Sequence, residues 1–216
     1  MEKVNWFFTS PRILPETINY KSILYLLRRD IDTCFGTDPN TGLPFNPIDK
    51  KTKKKIYCKA IWPGTMAILA GIDLLGKFLA GSDKSGGKGK DGVKGRFSEF
   101  AKRYIGLSDF EASLLYQLRN SLLHSFGLYS EKSDKKGNIK ATYNFILSQG
   151  LQTFTKHIRD DFYQVDVNIL REKFNDAINK YEIELIDNSR KDFKELNKNF
   201  SKMYPKHAKP MCVTKF

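Results

Sequence analysis

Hydrophobic positions recur every three to four residues over most of this chain, and that spacing predicts helices. Pro15-Glu16 opens a first helix to about Phe35, with Ile18, Ile23, Leu26, Leu27 and Ile31 on one face and Gly36 as its stop. Pro63 begins a second, which runs to about Ala80 through the most apolar stretch of the sequence. Phe97, Phe100, Ala101, Tyr104 and Ile105 form a short third helix ended by Gly106. Ser108-Asp109-Phe110-Glu111 is a capping box and fixes the start of a fourth, which ends near Gly127. The period then shortens to two. Leu128 to Ser130 and Thr142 to Leu147, around the turn Asp134 to Asn138, read as a β-hairpin, and Phe162 to Val165 as a further strand. Asp166 caps a fifth helix with the stripe Val167, Leu170, Phe174, Ile178, Tyr181 and Leu185. Phe193, Leu196, Phe200 and Met203 mark a sixth, and 204–216, with Pro205 and Pro210, reads as a loose tail.

The pattern predicts one mainly α domain over 1–216. It is a bundle of five to six helices with a small β-hairpin insertion near 127–148, between the fourth and fifth helices. Basic flexible loops fall near 36–60 and 81–96.

Charge changes the picture. Lys and Arg number 37 against 24 Asp and Glu, a net charge of +13. Every quarter of the chain contributes to the excess, so a broad positive surface is expected, suited to nucleic acid. The lysine run Lys50, Lys51, Lys53, Lys54 and Lys55 and the loop residues Lys84, Lys88, Lys90, Lys94 and Arg96 are candidate phosphate contacts. Solvated loops would look the same. Gly87, Gly89 and Gly92 match a dinucleotide fingerprint in form only, because a helix and not a strand precedes them.

Three scattered cysteines (Cys34, Cys58, Cys212), with no Cys-x-x-Cys pair, point to a reducing cytoplasm and away from a disulfide framework or a zinc knuckle. No cluster shows metal-ligand spacing, and no metal or cofactor is expected. The N-terminus lacks the build of a secretion signal. Ile61 to Ala80 contains Asp73 and Lys77, so a buried helix is expected there and no membrane span.

The fourth helix holds the candidate chemistry. At about 100° per residue, Ala112, Leu114, Leu115, Leu118, Leu122, Leu123 and Phe126 share one arc. Ser113, Gln117, Asn120 and His124 fall on the opposite side. Asn120 and His124 are one turn apart and can act on one group. Arg119 falls inside the apolar arc, where its permanent charge must meet a carboxylate, a phosphate or carbonyls. The arc is about 180° wide, more than one packing contact needs. A symmetry mate on the far side would explain the surplus, with Arg119 emerging at the border. A structural ion pair and a helix-end histidine would also fit these residues.

This segment, Tyr116 to Tyr129, resembles the Arg-x4-6-His signature of the HEPN superfamily, helical domains that include metal-independent ribonucleases of toxin and defence systems. The resemblance covers about 20 residues sharply. It implies a homodimer whose two helices line one cleft. There His124 would serve as general base or acid on the RNA 2′-hydroxyl or the leaving oxygen, Arg119 would stabilise the phosphate, and Asn120 would orient it. The products would be a 2′,3′-cyclic phosphate and a free 5′-hydroxyl. A regulatory or antitoxin partner protein is a further expectation. Family toxins silenced by nucleotidyl transfer often read Arg-x4-His-x-Tyr, but Phe126 stands at that tyrosine position and offers no hydroxyl. Two alternatives stand beside the ribonuclease: a non-catalytic RNA- or nucleotide-binding module, and a helical dimerisation or adaptor protein whose Arg119 pairs with an internal acid.

Overall fold

Local signals set the helix ends in the computed structural model, which describes residues 2–12, 20–45, 51–53, 59–84, 92–133, 136–187, 189, 191–207 and 211–212. Among these are helices α1 (Glu2–Phe8), α2 (Ile23–Cys34), α3 (Ile61–Ala80), α4 (Val93–Arg103), α5 (Asp109–Ser125), α6 (Val167–Ile186) and α7 (Lys191–His207). The strands are β1 (Tyr20–Lys21), β2 (Tyr129–Ser133), β3 (Ile139–Ser148), β4 (Thr155–Arg159), β5 (Phe162–Asp166) and β6 (Met211–Cys212). Contacts divide the chain into two units, residues 1–71 with 182–216 and residues 72–181.

In the first unit, the Ser22 hydroxyl accepts the Tyr25 N–H at 3.0 Å and donates to the Phe7 carbonyl at 2.8 Å. That cap starts α2 at Ile23, later than the expected Pro15; residues 13–19 lie outside the described set. Helix α1 was not predicted, because the consecutive run Trp6-Phe7-Phe8 has no helical period. Its Phe7 ring meets Phe200 at 5.4 Å and its Trp6 meets Tyr204 at 6.2 Å. These contacts correct the expectation of a loose tail: Tyr204 and Pro205 belong to α7, and Met211–Cys212 pairs with Tyr20–Lys21.

The second unit overturns the predicted helical bundle with a small hairpin. Between α5 and α6 stands a four-stranded mixed sheet, in the order β2-β3-β5-β4. The hairpin of β2 and β3 is present and antiparallel. Strand β3 is ten residues long, however, and its second half pairs in parallel with β5, from Asn144↔Phe162 to Ser148↔Asp166. The chain leaves β3, forms the far edge β4, and returns as β5 in the gap between them. Strand β4 escaped notice because Lys156 to Arg159 are all exposed and a bulge breaks its alternation.

Helix α5 lies on one face of this sheet. Its Phe110 ring is 6.0 Å from Tyr163, and its Gln117 side chain accepts the Ser130 hydroxyl at 2.8 Å. The predicted capping box holds, with Ser108 and Glu111 bonded reciprocally. Behind α5, the backbone of α4 crosses α3 closely: a Cβ on Gly76 would stand 2.8 Å from the Arg96 carbonyl oxygen. Asp166 caps α6 as expected, accepting the Asn168 and Ile169 N–H groups at 2.9 Å each. The whole α6 stripe from Val167 to Leu185 is buried. Helix α3 is long and apolar enough to cross a membrane by composition, but 56% of its apolar window is buried within the chain, which is the behaviour of a core helix.

Candidate functional site

The last two turns of α5 and the edge strand β2 bound an open cleft of about 590 Å³, lined by Asn120, Ser121, His124, Tyr129, Ser130 and Glu131. The capping box fixes where α5 begins, and its period then carries Asn120 and His124 to the same side. Strand alternation brings Tyr129 and Glu131 to one face of β2. The Tyr129 hydroxyl donates to Glu131 Oε1 at 2.5 Å. That bond to a carboxylate holds the Tyr129 phenol above its ordinary pKa.

Arg119 is not itself among the residues that line the cleft, but its guanidinium reaches two that are, Asn120 and His124. Its Nε donates to Asp73 Oδ2 at 2.7 Å, and Nη2 reaches the same oxygen. The two side chains are 13% and 18% exposed, so this pair is largely withdrawn from water. The third nitrogen, Nη1, points the other way. It donates to Asn120 Oδ1 at 3.2 Å and contacts His124 Nε2 at 2.6 Å. A guanidinium has only donors, so in this contact Nε2 is the nitrogen placed to accept. The three predicted residues are thus one hydrogen-bonded cluster, anchored by Asp73 at one end and open to the cleft at the other.

Asp73 is the residue that sequence reasoning missed. Its signal was present: a carboxylate in the most apolar helix and a guanidinium in the apolar arc of another each require a partner, and each supplies the other. Glu131 and Tyr129 carried no signal beyond the alternation of β2. The wide apolar arc also has a plain explanation within one chain. Leu114, Leu115, Leu118 and Leu122 are all buried without a second copy. Phe126 is not part of that arc. It ends α5 in the left-handed conformation (φ 49°) and is 67% exposed.

Of the basic candidates described in the same unit, Lys84, Lys94 and Arg96 are not among the residues lining this cleft. Lys50, Lys54, Lys55, Lys88 and Lys90 lie outside the described residues. Lys51, Lys53, Lys84 and Lys94 are exposed. Arg96 is 3% exposed and donates from Nη1 to the Lys84 carbonyl at 2.6 Å, which removes it from the phosphate-contacting set. His157 stacks on Tyr163 at 4.9 Å and bonds the Asp160 carbonyl through Nε2, as a surface residue of β4. Among the described residues, no three His, Cys, Asp or Glu side chains are grouped to hold a metal ion.

No family model, curated protein or solved structure matches this chain.

Proposed function

We propose that the cleft beside α5 cleaves RNA by attack of a 2′-hydroxyl on the adjacent phosphorus, as the resemblance to HEPN ribonucleases implies. The observation that carries the reading is the 2.6 Å contact of Arg119 Nη1 with His124 Nε2 at the wall of an open cleft. A phosphate arriving there offers both groups an oxygen. His124 then exchanges its bond to Arg119 for the substrate. Nε2 takes the 2′-hydroxyl proton as that oxygen bonds phosphorus, and the imidazolium so formed returns this proton to the 5′-oxygen as its bond to phosphorus breaks. Arg119 Nη1 stabilises the charge gathering on the phosphoryl oxygens. Asp73 acts on Arg119 alone and is a positioning residue. Asn120, bonded to Nη1, orients the same cluster.

This reading places the protein in the cytoplasm, consistent with the free thiol of Cys34. Leu114, Leu115, Leu118 and Leu122 are buried within one chain, and the cleft is lined by residues of that chain. The decisive experiment incubates purified protein with RNA in EDTA. Cleavage to 2′,3′-cyclic phosphate ends is expected, and His124→Ala should lower the rate at least about a hundredfold with the fold intact. Undiminished cleavage by His124→Ala contradicts the reading.

A second reading draws on the Arg119–Asp73 pair, the internal acid that a helical dimerisation or adaptor protein would give this arginine. It is distinguished by a folded protein that neither binds nor cuts RNA.

A further inference from the structure

The face of the sheet turned away from α5 carries a row of side chains that the cleavage chemistry does not use. Register sets Tyr129 of β2, Asn144 of β3, Phe162 of β5 and Arg159 of β4 side by side, one from each strand. Paired residues in a sheet point to the same face. The Arg159 guanidinium sits 5.4 Å from the centre of the Phe162 ring. Ile146, next to Asn144 on this face, is 42% exposed, and Lys156 of β4 is exposed at the edge. Tyr129 also lines the cleft, so the row leads from the far edge of the sheet to the wall that holds His124.

The chemistry of the row selects its ligand. Two aromatic rings separated by an amide, with cations gathered at one edge, suit flat bases joined by phosphates. Asp161, the carboxylate nearest the middle of the row, is bonded by Thr142 at 2.6 Å and Asn144 at 2.7 Å. Asn144 thereby spends an N–H on Asp161 and keeps its carbonyl oxygen to accept from a base edge. A duplex hides its base faces and would present none of them to the rings. We propose that this open face is a binding platform for single-stranded RNA, with unpaired bases stacked on Phe162 and Tyr129 and phosphates held by Lys156 and Arg159. The inference rests on the proposed cleavage for the choice of RNA and deepens it by naming the substrate as unpaired.

The test uses the full chain carrying His124→Ala, so that binding is read without cutting. A labelled unpaired RNA of about 12 nucleotides and its duplex are titrated by fluorescence anisotropy. The unpaired strand should bind at least about tenfold tighter than the duplex. Adding Phe162→Leu should weaken it about tenfold through lost stacking. Adding Arg159→Ala should weaken it and flatten the salt dependence by about one phosphate contact. Arg159 is exposed, so its variant decides the matter even where Phe162→Leu fails to fold. Equal binding of duplex, or unchanged binding in these variants, overturns the platform. Binding of neither RNA also overturns it and leaves the face to a protein partner. The two readings fail separately. A parent enzyme that cuts RNA at an undiminished rate with both sheet variants loses the platform only. Binding that depends on Phe162 and Arg159, in a parent that cuts nothing, loses the cleavage only.

Discussion

The two faces of the four-stranded sheet are built from alternating residues of the same strands, yet they serve opposite ends. One face carries Tyr143, Phe145, Tyr163 and Val165, and α5 lies on it through Phe110 and Gln117. Phe145 and Val165 are buried there. The other face carries Tyr129, Asn144, Ile146, Phe162 and Arg159, and its large side chains remain partly in water. The strands therefore divide their residues into a set that holds the unit together and a set free to meet something else. The same division runs through the site. Asp73 and the Nε edge of Arg119 belong to the packed side, while His124 and Asn120 belong to the open one.

Substitutions on the two faces should separate them by size of effect. Phe145→Ala empties a buried position and should cost about 3–5 kcal/mol in a urea melt, whereas Ile146→Ala, its exposed neighbour, should cost less than about 1 kcal/mol. Similar losses at the two positions would erase the distinction. Next in size, Asp73→Ala leaves the Arg119 charge largely buried and unpaired and should cost about 2–3 kcal/mol. Removing both partners, as Asp73→Leu with Arg119→Leu, should recover part of that loss; a strictly additive double variant would mean that the pair is not coupled.

A smaller effect of opposite sign is expected at Phe126. Its left-handed backbone is unfavourable for a bulky side chain, so Phe126→Gly should raise stability by about 1 kcal/mol, seen as a higher thermal midpoint. The smallest effect is on the open face. The hydrogen bond from Thr142, joined by that from Asn144, holds the Asp161 carboxyl below its ordinary pKa. A depressed carboxyl contributes stability that is present above its unfolded pKa and lost as pH falls through the folded one. Thr142→Ala should therefore narrow the stability difference between neutral and acidic pH, and NMR titration should show the Asp161 pKa rising. An unmoved titration would show that the Thr142 bond does not act on the carboxyl.

The same division explains what could be read from the sequence. Helices announced by caps and stripes were legible: Ser108 with Glu111 started α5, Asp166 started α6, and the α6 stripe is buried at every position. Strand β4 was not, because Lys156, His157 and Arg159 show no hydrophobic alternation to a reader of the chain. The parallel join of β3 to β5 is a long-range choice made by side chains on the covered face, and no local signal encodes it. In the site, one-turn spacing gave Asn120 and His124. The demand of a buried charge gave a partner for Arg119 in kind, and only the fold supplied Asp73.

The proposed cleavage requires a 2′-hydroxyl, activated at His124, as its nucleophile. A short unpaired RNA whose cut position has been mapped, then rebuilt with one 2′-deoxynucleotide at that position, removes that group alone. Cleavage there should fall below detection in EDTA while the flanking ribonucleotides remain substrates. Cutting of the deoxy-substituted position at the original rate would rule out the 2′-hydroxyl as nucleophile.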